Sequence, residues 1–257
     1  MLRIFTSSIV IVAMLLLSPP LAADEIRVAV ASNFAEAMTA LVSRFEEVSG
    51  HTVIPVYGST GKHYAQIVNG APFDAFLAAD VERPKLLEEE GRVVAGSRFA
   101  YAVGRLVLWS PTGDRVDPEG QVLRQGQFRH LALANPELAP YGRAAEETLR
   151  AMGLWERLEP CLVRGENISQ TYLFVSSGST ELGFVALSQV RHPDKPIEGS
   201  SWIIPQKWHQ PIEQQAVLLK DSKTARHFLE FIGSGEAKEI IRGFGYAPAP
   251  EAEAPAP

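Results

Sequence analysis

The sequence predicts an α/β chain of two lobes, each a mostly parallel sheet flanked by helices, joined by a hinge of two crossing segments. Three observations carry this. Apolar runs of strand length alternate with segments whose apolar residues recur at helical spacing. The strand-like runs are almost continuously apolar, as strands covered on both faces of a parallel sheet must be. Two long apolar stretches, residues 99–110 and 212–219, lie far apart in the chain and are suited to run side by side between the same two bodies. The expected division places residues 24–104 and 210–246 in one lobe and residues 105–209 in the other.

Residues 1–23 precede the fold. Arg3 supplies a positive start, residues 9–17 are apolar, and Ser18-Pro19-Pro20-Leu21-Ala22-Ala23 ends in small residues. This is the pattern of a cleavable secretory signal peptide, short for a membrane span. No cysteine follows it, so the expected product is a free periplasmic protein and not a lipoprotein. Cleavage removes one of 24 basic residues and none of the 30 acidic ones, leaving 23 − 30 = −7. That balance argues against a nucleic-acid partner, and an anion would have to be captured by local dipoles. Cys161 is the single cysteine. It excludes an intramolecular disulfide or a multi-cysteine metal cage and reads as a packed, inert thiol.

In order, the first strand is residues 26–31, followed by a turn at Ser32-Asn33. A helix then carries Ala37, Met38, Leu41, Val42 and Phe45 on one stripe. Ser32 fits two roles, a helix N-cap or a donor to an anion held at the helix start. The arrangement recurs. A strand over 51–57 leads through Gly58-Ser59-Thr60-Gly61 into a helix over 62–68, with Lys62 either a ligand or an exposed first-turn lysine. The GSTGK run lacks the GxxxxGK[ST] spacing, which rejects a nucleotide phosphate loop. Residues 73–80 read as a third strand and 80–91 as a short acidic helix. Asp74 and Asp80 sit near opposite ends of that strand, too far apart for shared acid–base work.

Residues 99–110 read as one strand that bends at Gly104. Beyond it, a strand over 130–134 leads through a loop over 137–142 into a helix over 143–152. Pro140 and Gly142 frame Tyr141, which is either a hydroxyl presented near that helix start or an ordinary half-buried tyrosine. A fourth start follows, where Asn167 or Ser169 caps a helix over 171–177 and the Ile168 backbone N–H is able to face a ligand. Strands over 182–187 and 200–204, the return strand over 212–219 and helices over 222–234 and 235–243 complete the fold. The Pro/Ala/Glu-rich stretch 247–257 reads as a disordered, extended tail.

Catalytic and metal readings find little support. His209 is a general-base candidate by type, and a secreted serine hydrolase would pair it with Ser32 or Ser59, but no GxSxG elbow is present. The six histidines show no HxxxH or HxH spacing, and no cofactor is expected. A cation binder would present carboxylates or histidines at the strand ends. Here all four helix starts are rich in hydroxyls and amides.

Several stretches together resemble the periplasmic molybdate-binding proteins that feed ABC importers. They are VAVASNFAEAM, YGSTGKHYAQIVNGAPFDAFLAAD, ALANPELAPYG, ENISQTYLFVSSGSTELGFVA, IPQKWHQPIEQQAVLL and the closing GFGY. The resemblance covers nearly the whole chain after the signal peptide up to Tyr246. It implies the two-lobed periplasmic binding protein fold and an oxyanion, molybdate and also tungstate, held by neutral donors from both lobes. It further implies no catalysis, a monomer, and delivery to a membrane permease. By position, Ser32 and Asn33 match the first binding turn. Ser59 and Thr60 match a Ser-Ser turn, with Thr60 at its second serine. Tyr141 matches a phenol donor used in one branch of the family, and Ile168 a backbone N–H donor. A second branch carries a tyrosine where this chain has Ala186, which fits the use of Tyr141 instead. The same fold holding sulfate or phosphate remains the alternative.

Overall fold

The structure is a computed structural model and describes residues 24–250. The expected signal peptide, and residues 251–257 of the expected tail, lie outside the described residues. Among the described residues no helix is long and apolar enough to cross a membrane.

Ten strands among the described residues form two sheets of five. The first holds β1 (Glu25–Ala31), β2 (Thr52–Gly58), β3 (Ala75–Leu77), β4 (Phe99–Gly104) and, from the far end of the chain, β10 (Ile212–Leu218), in the order β2-β1-β3-β10-β4. β1 pairs in parallel with β2 and β3, while β10 runs antiparallel to β3 and β4, so four of five strands point one way. The second holds β5 (Leu106–Ser110), β6 (Leu131–Ala134), β7 (Leu162–Gly165), β8 (Leu182–Ala186) and β9 (Ser200–Ile203), in the order β7-β6-β8-β5-β9. Its pairing repeats the scheme, with β5 reversed. In each sheet the reversed strand is the one the chain enters on arriving from the other lobe.

The stretch over 99–110 is therefore not one bent strand. β4 pairs with β10 up to Gly104 and β5 pairs with β8 from Leu106, so Arg105 alone carries the chain between sheets. The stretch over 73–80 is also shorter than its composition implies, because β1 and β10 pair only with Ala75–Leu77. Ala247, expected in the extended tail, instead exchanges two backbone hydrogen bonds of 2.9 Å with Val103. β4 is an edge strand, and its unpaired backbone groups recruit the passing chain.

Helices cover both faces of the sheets. Helix α1 (Ala35–Ser49) buries Ala37, Met38, Leu41 and Phe45 of the apolar stripe read from the sequence, leaves Val42 partly buried, and ends at Gly50 in the left-handed conformation. In the same lobe lie α2 (Thr60–Val68) and α3 (Glu82–Glu89). The second lobe adds α4 (Gln121–Gln125), α5 (Pro140–Ala151), α6 (Trp155–Leu158), α7 (Ile168–Ser176) and α8 (Leu187–Val190). Helices α9 (Lys223–Gly233) and α10 (Gly235–Gly243) pack back on the first lobe. Phe34, Phe45 and Phe228 are fully buried there, and Phe184, Leu106 and Leu108 in the second lobe. Each such burial contributes about 1.5–3 kcal/mol, which fixes the strand ends that carry the site.

Candidate functional site

Parallel strands deliver their C-terminal ends to a seam between the lobes. Ala31 lies opposite Gly58, so Ser32 and Ser59 leave neighbouring strands side by side. In the second lobe Ala134 lies opposite Gly165, so the loops leading to Tyr141 and Ile168 also start together. The two sets meet. Ser169 donates from Oγ to the Ser32 carbonyl at 3.1 Å, Ser32 Oγ donates to Asn167 Oδ1 at 3.3 Å, and the Gly61 N–H donates to the Leu138 carbonyl at 2.9 Å. Ligands of open α/β sheets bind at such strand ends.

All six candidate residues, Ser32, Asn33, Ser59, Thr60, Tyr141 and Ile168, are buried, none more than 4 % exposed. Ser32 opens a short 3-10 turn over Ser32–Phe34 ahead of α1 and makes no capping hydrogen bond, so its capping role is not what the structure shows. Ser59 is the residue that caps: its Oγ accepts from the Lys62 N–H at 3.4 Å. Thr60, first residue of α2, accepts the Ala79 N–H on Oγ1 at 3.1 Å, which leaves its own proton to donate. Neither Ser59 nor Thr60 bonds directly to the other four among the described residues.

Asn167 caps α7 by accepting the Gln170 N–H at 3.0 Å. Ile168 is then the first residue of that helix, where a backbone N–H has no acceptor inside the helix and the dipole is positive. Helix α7 thus starts three residues earlier than the apolar pattern implied. Tyr141 lies in the first turn of α5 and not in a loop before it, because Pro140 takes the first helical position, where its missing N–H costs nothing. Gly142 is required next to it: a Cβ there would lie 2.2 Å from the Ala134 carbonyl oxygen.

Asn33 sits in a cluster the sequence did not reveal. Its Nδ2 donates to Gln214 Oε1 and to the Tyr246 hydroxyl, both at 3.0 Å. Its carbonyl accepts from Tyr246 OH and from Ser188 Oγ, both at 2.8 Å. Gln214 in turn donates to the Tyr141 hydroxyl at 3.3 Å and accepts from Tyr101 at 2.9 Å. Tyr101, Tyr141 and Tyr246 are all raised above the ordinary tyrosine value by burial, so their hydroxyls stay protonated. The one legible hint was a Gln-Gln pair inside the apolar return strand. At Ala186, the closing residue of β8, Gln189 accepts the backbone N–H and donates to the Ile168 carbonyl, which steadies the start of α7.

Charge is kept to the rim, apart from the largely buried Arg83–Asp80 pair. No lysine, arginine or carboxylate is among the fully buried residues described. Lys62 pairs with Glu166 at 3.0 Å and Arg143 with Glu82 at 2.9 Å, both across the seam and both about half exposed. Arg83 pairs with Asp80 and reaches the Glu137 carbonyl in the other lobe at 3.0 Å. Burial raises the Asp80 carboxyl despite this partner. Asp74 is occupied elsewhere, by Lys220 and the Arg27 N–H. His209 Nδ1 faces the Gln210 carbonyl at 2.7 Å and no hydrogen bond joins it to a serine hydroxyl among the described residues. No cluster of three metal-ligating side chains is found there either.

Two lobes of this topology, meeting through neutral donors at their strand ends, define a two-lobed solute-binding protein. The chain belongs to the bacterial extracellular solute-binding proteins, whose family model matches residues 26–247. Its task is to hold a solute, not to turn one over. It is 48% identical over 227 residues to the molybdate-binding protein ModA of Azotobacter vinelandii, covering 87% of this chain and 90% of that one. It is equally 48% identical over 233 residues to ModA of Rhodobacter capsulatus, covering 90% and 91%. The solved structure of the periplasmic molybdate-binding protein of A. vinelandii superposes with a TM-score of 0.84 at 39% identity, covering 86% of this chain and 98% of that one.

Proposed function

We propose that this protein captures molybdate, and tungstate with it, in the cleft between its lobes and delivers the anion to the membrane permease of an ABC importer. It works as a free periplasmic monomer with no nucleic-acid partner. The lobes are residues 24–104 with 210–246 and residues 105–209, and closure brings their donors onto one anion. The observation that carries this reading is the 48% identity, over nearly the full chain, to two proteins named for molybdate binding.

The chemistry supports it. Hydroxyls of Thr60 and Tyr141, with Ser59 beside them, and backbone N–H groups at Asn33 and Ile168 are directed donors that keep their protons. Ser32 joins them by turning its proton from Asn167 Oδ1 to the anion. A fully deprotonated tetrahedral dianion presents only acceptors to them, and helix N-termini add partial positive charge. A smaller anion leaves donors unmet, at about 1–3 kcal/mol for each buried group. Selection therefore rests on cavity size and not on a buried lysine or arginine.

Titration calorimetry of the processed protein with molybdate, tungstate, sulfate and phosphate tests the proposal. Heat from the first two, and none from the second two at the same concentration, is expected. Binding of sulfate or phosphate alone would overturn the ligand, and hydrolysis of a simple ester would overturn the class.

A further inference from the structure

Gln214 is a fully buried amide in the middle of β10, flanked by Ile212 and Ala216. It stands at a register break: Gln214 faces Ala102 and Gln215 faces Ala100, so Tyr101 is the extra residue of a bulge on β4. The bulge brings the Tyr101 hydroxyl to Gln214 Oε1 at 2.9 Å, its one proton shared with the Ala78 carbonyl at 3.1 Å, and Asn33 Nδ2 reaches the same oxygen at 3.0 Å. With two donors on its oxygen, the amide turns its nitrogen to the Tyr141 hydroxyl at 3.3 Å. These partners lie 181, 113 and 73 positions away in sequence, and Tyr141 belongs to the other lobe.

We infer that Gln214 is a positioning residue for oxyanion capture, orienting the Tyr141 hydroxyl so that its proton points to the bound anion. The inference rests on the reading of Tyr141 as an oxyanion donor. A phenol oxygen that accepts from Nε2 has its own proton left to give, and Gln214 is held in the accepting-and-donating sense by Asn33 and Tyr101. The residue thus couples the first-lobe binding turn, the return strand of the hinge and the second-lobe donor through one side chain.

Gln214→Glu is the informative variant, because it keeps the shape. Its ionised carboxylate still accepts from Asn33 and Tyr101 but also draws the Tyr141 proton away from the anion. Protonation gives it back an O–H that donates to Tyr141. The groups facing this position are Tyr101 and Tyr141, with Tyr246 behind Asn33, all kept protonated by burial, and the charged side chain that acts on Tyr101 is Asp80.

The experiment measures molybdate affinity from pH 6 to 8.5 for the unsubstituted protein, Q214E, Y141F and the double variant, with ligand-free melting points to confirm folding. Three results are expected together. Y141F binds at least tenfold more weakly. Q214E weakens at least tenfold further as pH rises, while the unsubstituted protein stays flat. That pH-dependent loss shrinks at least threefold in the Y141F background. If Y141F weakens binding but the Q214E loss is the same in both backgrounds, Gln214 acts by charge alone and the inference is overturned with the site intact. If Y141F leaves affinity unchanged, the role of Tyr141 and the inference fall together. If Q214E is folded and pH-independent, the inference is again overturned.

Discussion

Gly104 and Tyr141 touch where the first crossing strand ends: a methyl group placed on Gly104 would lie 2.1 Å from the Tyr141 hydroxyl. The last residue of β4 is thus packed against a donor carried by the other lobe. Gly104→Ala forces that hydroxyl aside or holds the lobes apart. Overpacking of this kind costs about 1–3 kcal/mol, so molybdate affinity should fall by roughly 5- to 150-fold, and the ligand-free melting point should fall as well, because the same methyl lies 2.8 Å from Gln214 Nε2 in its own lobe. Calorimetric titration checks this. An unchanged affinity would mean that Tyr141 does not have to reach its observed position.

The two adjacent hydroxyls at the start of α2 should separate by effect. Ser59 caps the helix, and Ser59→Ala should cost about 1 kcal/mol of stability. Thr60→Val removes a hydroxyl whose proton is uncommitted, and hydrogen bonds to a charged acceptor contribute about 1.5–3 kcal/mol. It should weaken molybdate binding by roughly 10- to 150-fold. It should also lower the melting point, because the Ala79 N–H loses its acceptor, whereas Ser59→Ala should lower the melting point alone. Melting curves with and without ligand distinguish the two.

The ion pairs at the rim should matter little. Lys62–Glu166 and Arg143–Glu82 are about half exposed, and such pairs contribute about 0–1 kcal/mol. Lys62→Met or Arg143→Met should lower affinity by less than about fivefold, and added salt should shrink even that difference. A hundredfold loss in Lys62→Met would make the lysine a ligand after all.

Acid should weaken the first lobe through His63. Burial lowers its pKa below the ordinary histidine value, and its ring sits 3.2 Å from the Val30 carbonyl at the end of β1. Between the depressed folded value and about 6.5 the unfolded chain binds the extra proton. Stability is therefore fully present above about pH 6.5 and is lost as pH falls through the folded value. Melting temperatures from pH 8 to 5 should fall in that window, and His63→Gln should flatten the slope.

What the sequence made legible follows the range of the interactions involved. Strand, polar turn and helix repeat within twenty residues around Ser32, Ser59 and Ile168, so local pattern located them. Around Tyr141 the apolar pattern starts a helix only at residue 143, although Pro140, a favoured first helical residue, opens it. The strand around Phe76 is shorter than its apolar run, because its ends depend on partners in β1 and β10 and not on its own composition. Gln214 was out of reach. Its meaning comes from Asn33, Tyr101 and Tyr141, which only the folded chain brings together.

The measurement that tests the central claim most directly is a crystal structure of the processed protein with molybdate, using anomalous scattering from molybdenum to locate the ion. The account predicts a single strong peak at the seam, with oxygens within about 2.7–3.2 Å of hydroxyl or N–H donors from Ser32, Asn33, Thr60, Tyr141 and Ile168, and no lysine or arginine in contact. A peak elsewhere, for example in the cavity of about 970 Å³ lined by Arg98, Lys238, Arg242 and Pro248, would contradict it. So would a peak at the seam bound by only one lobe.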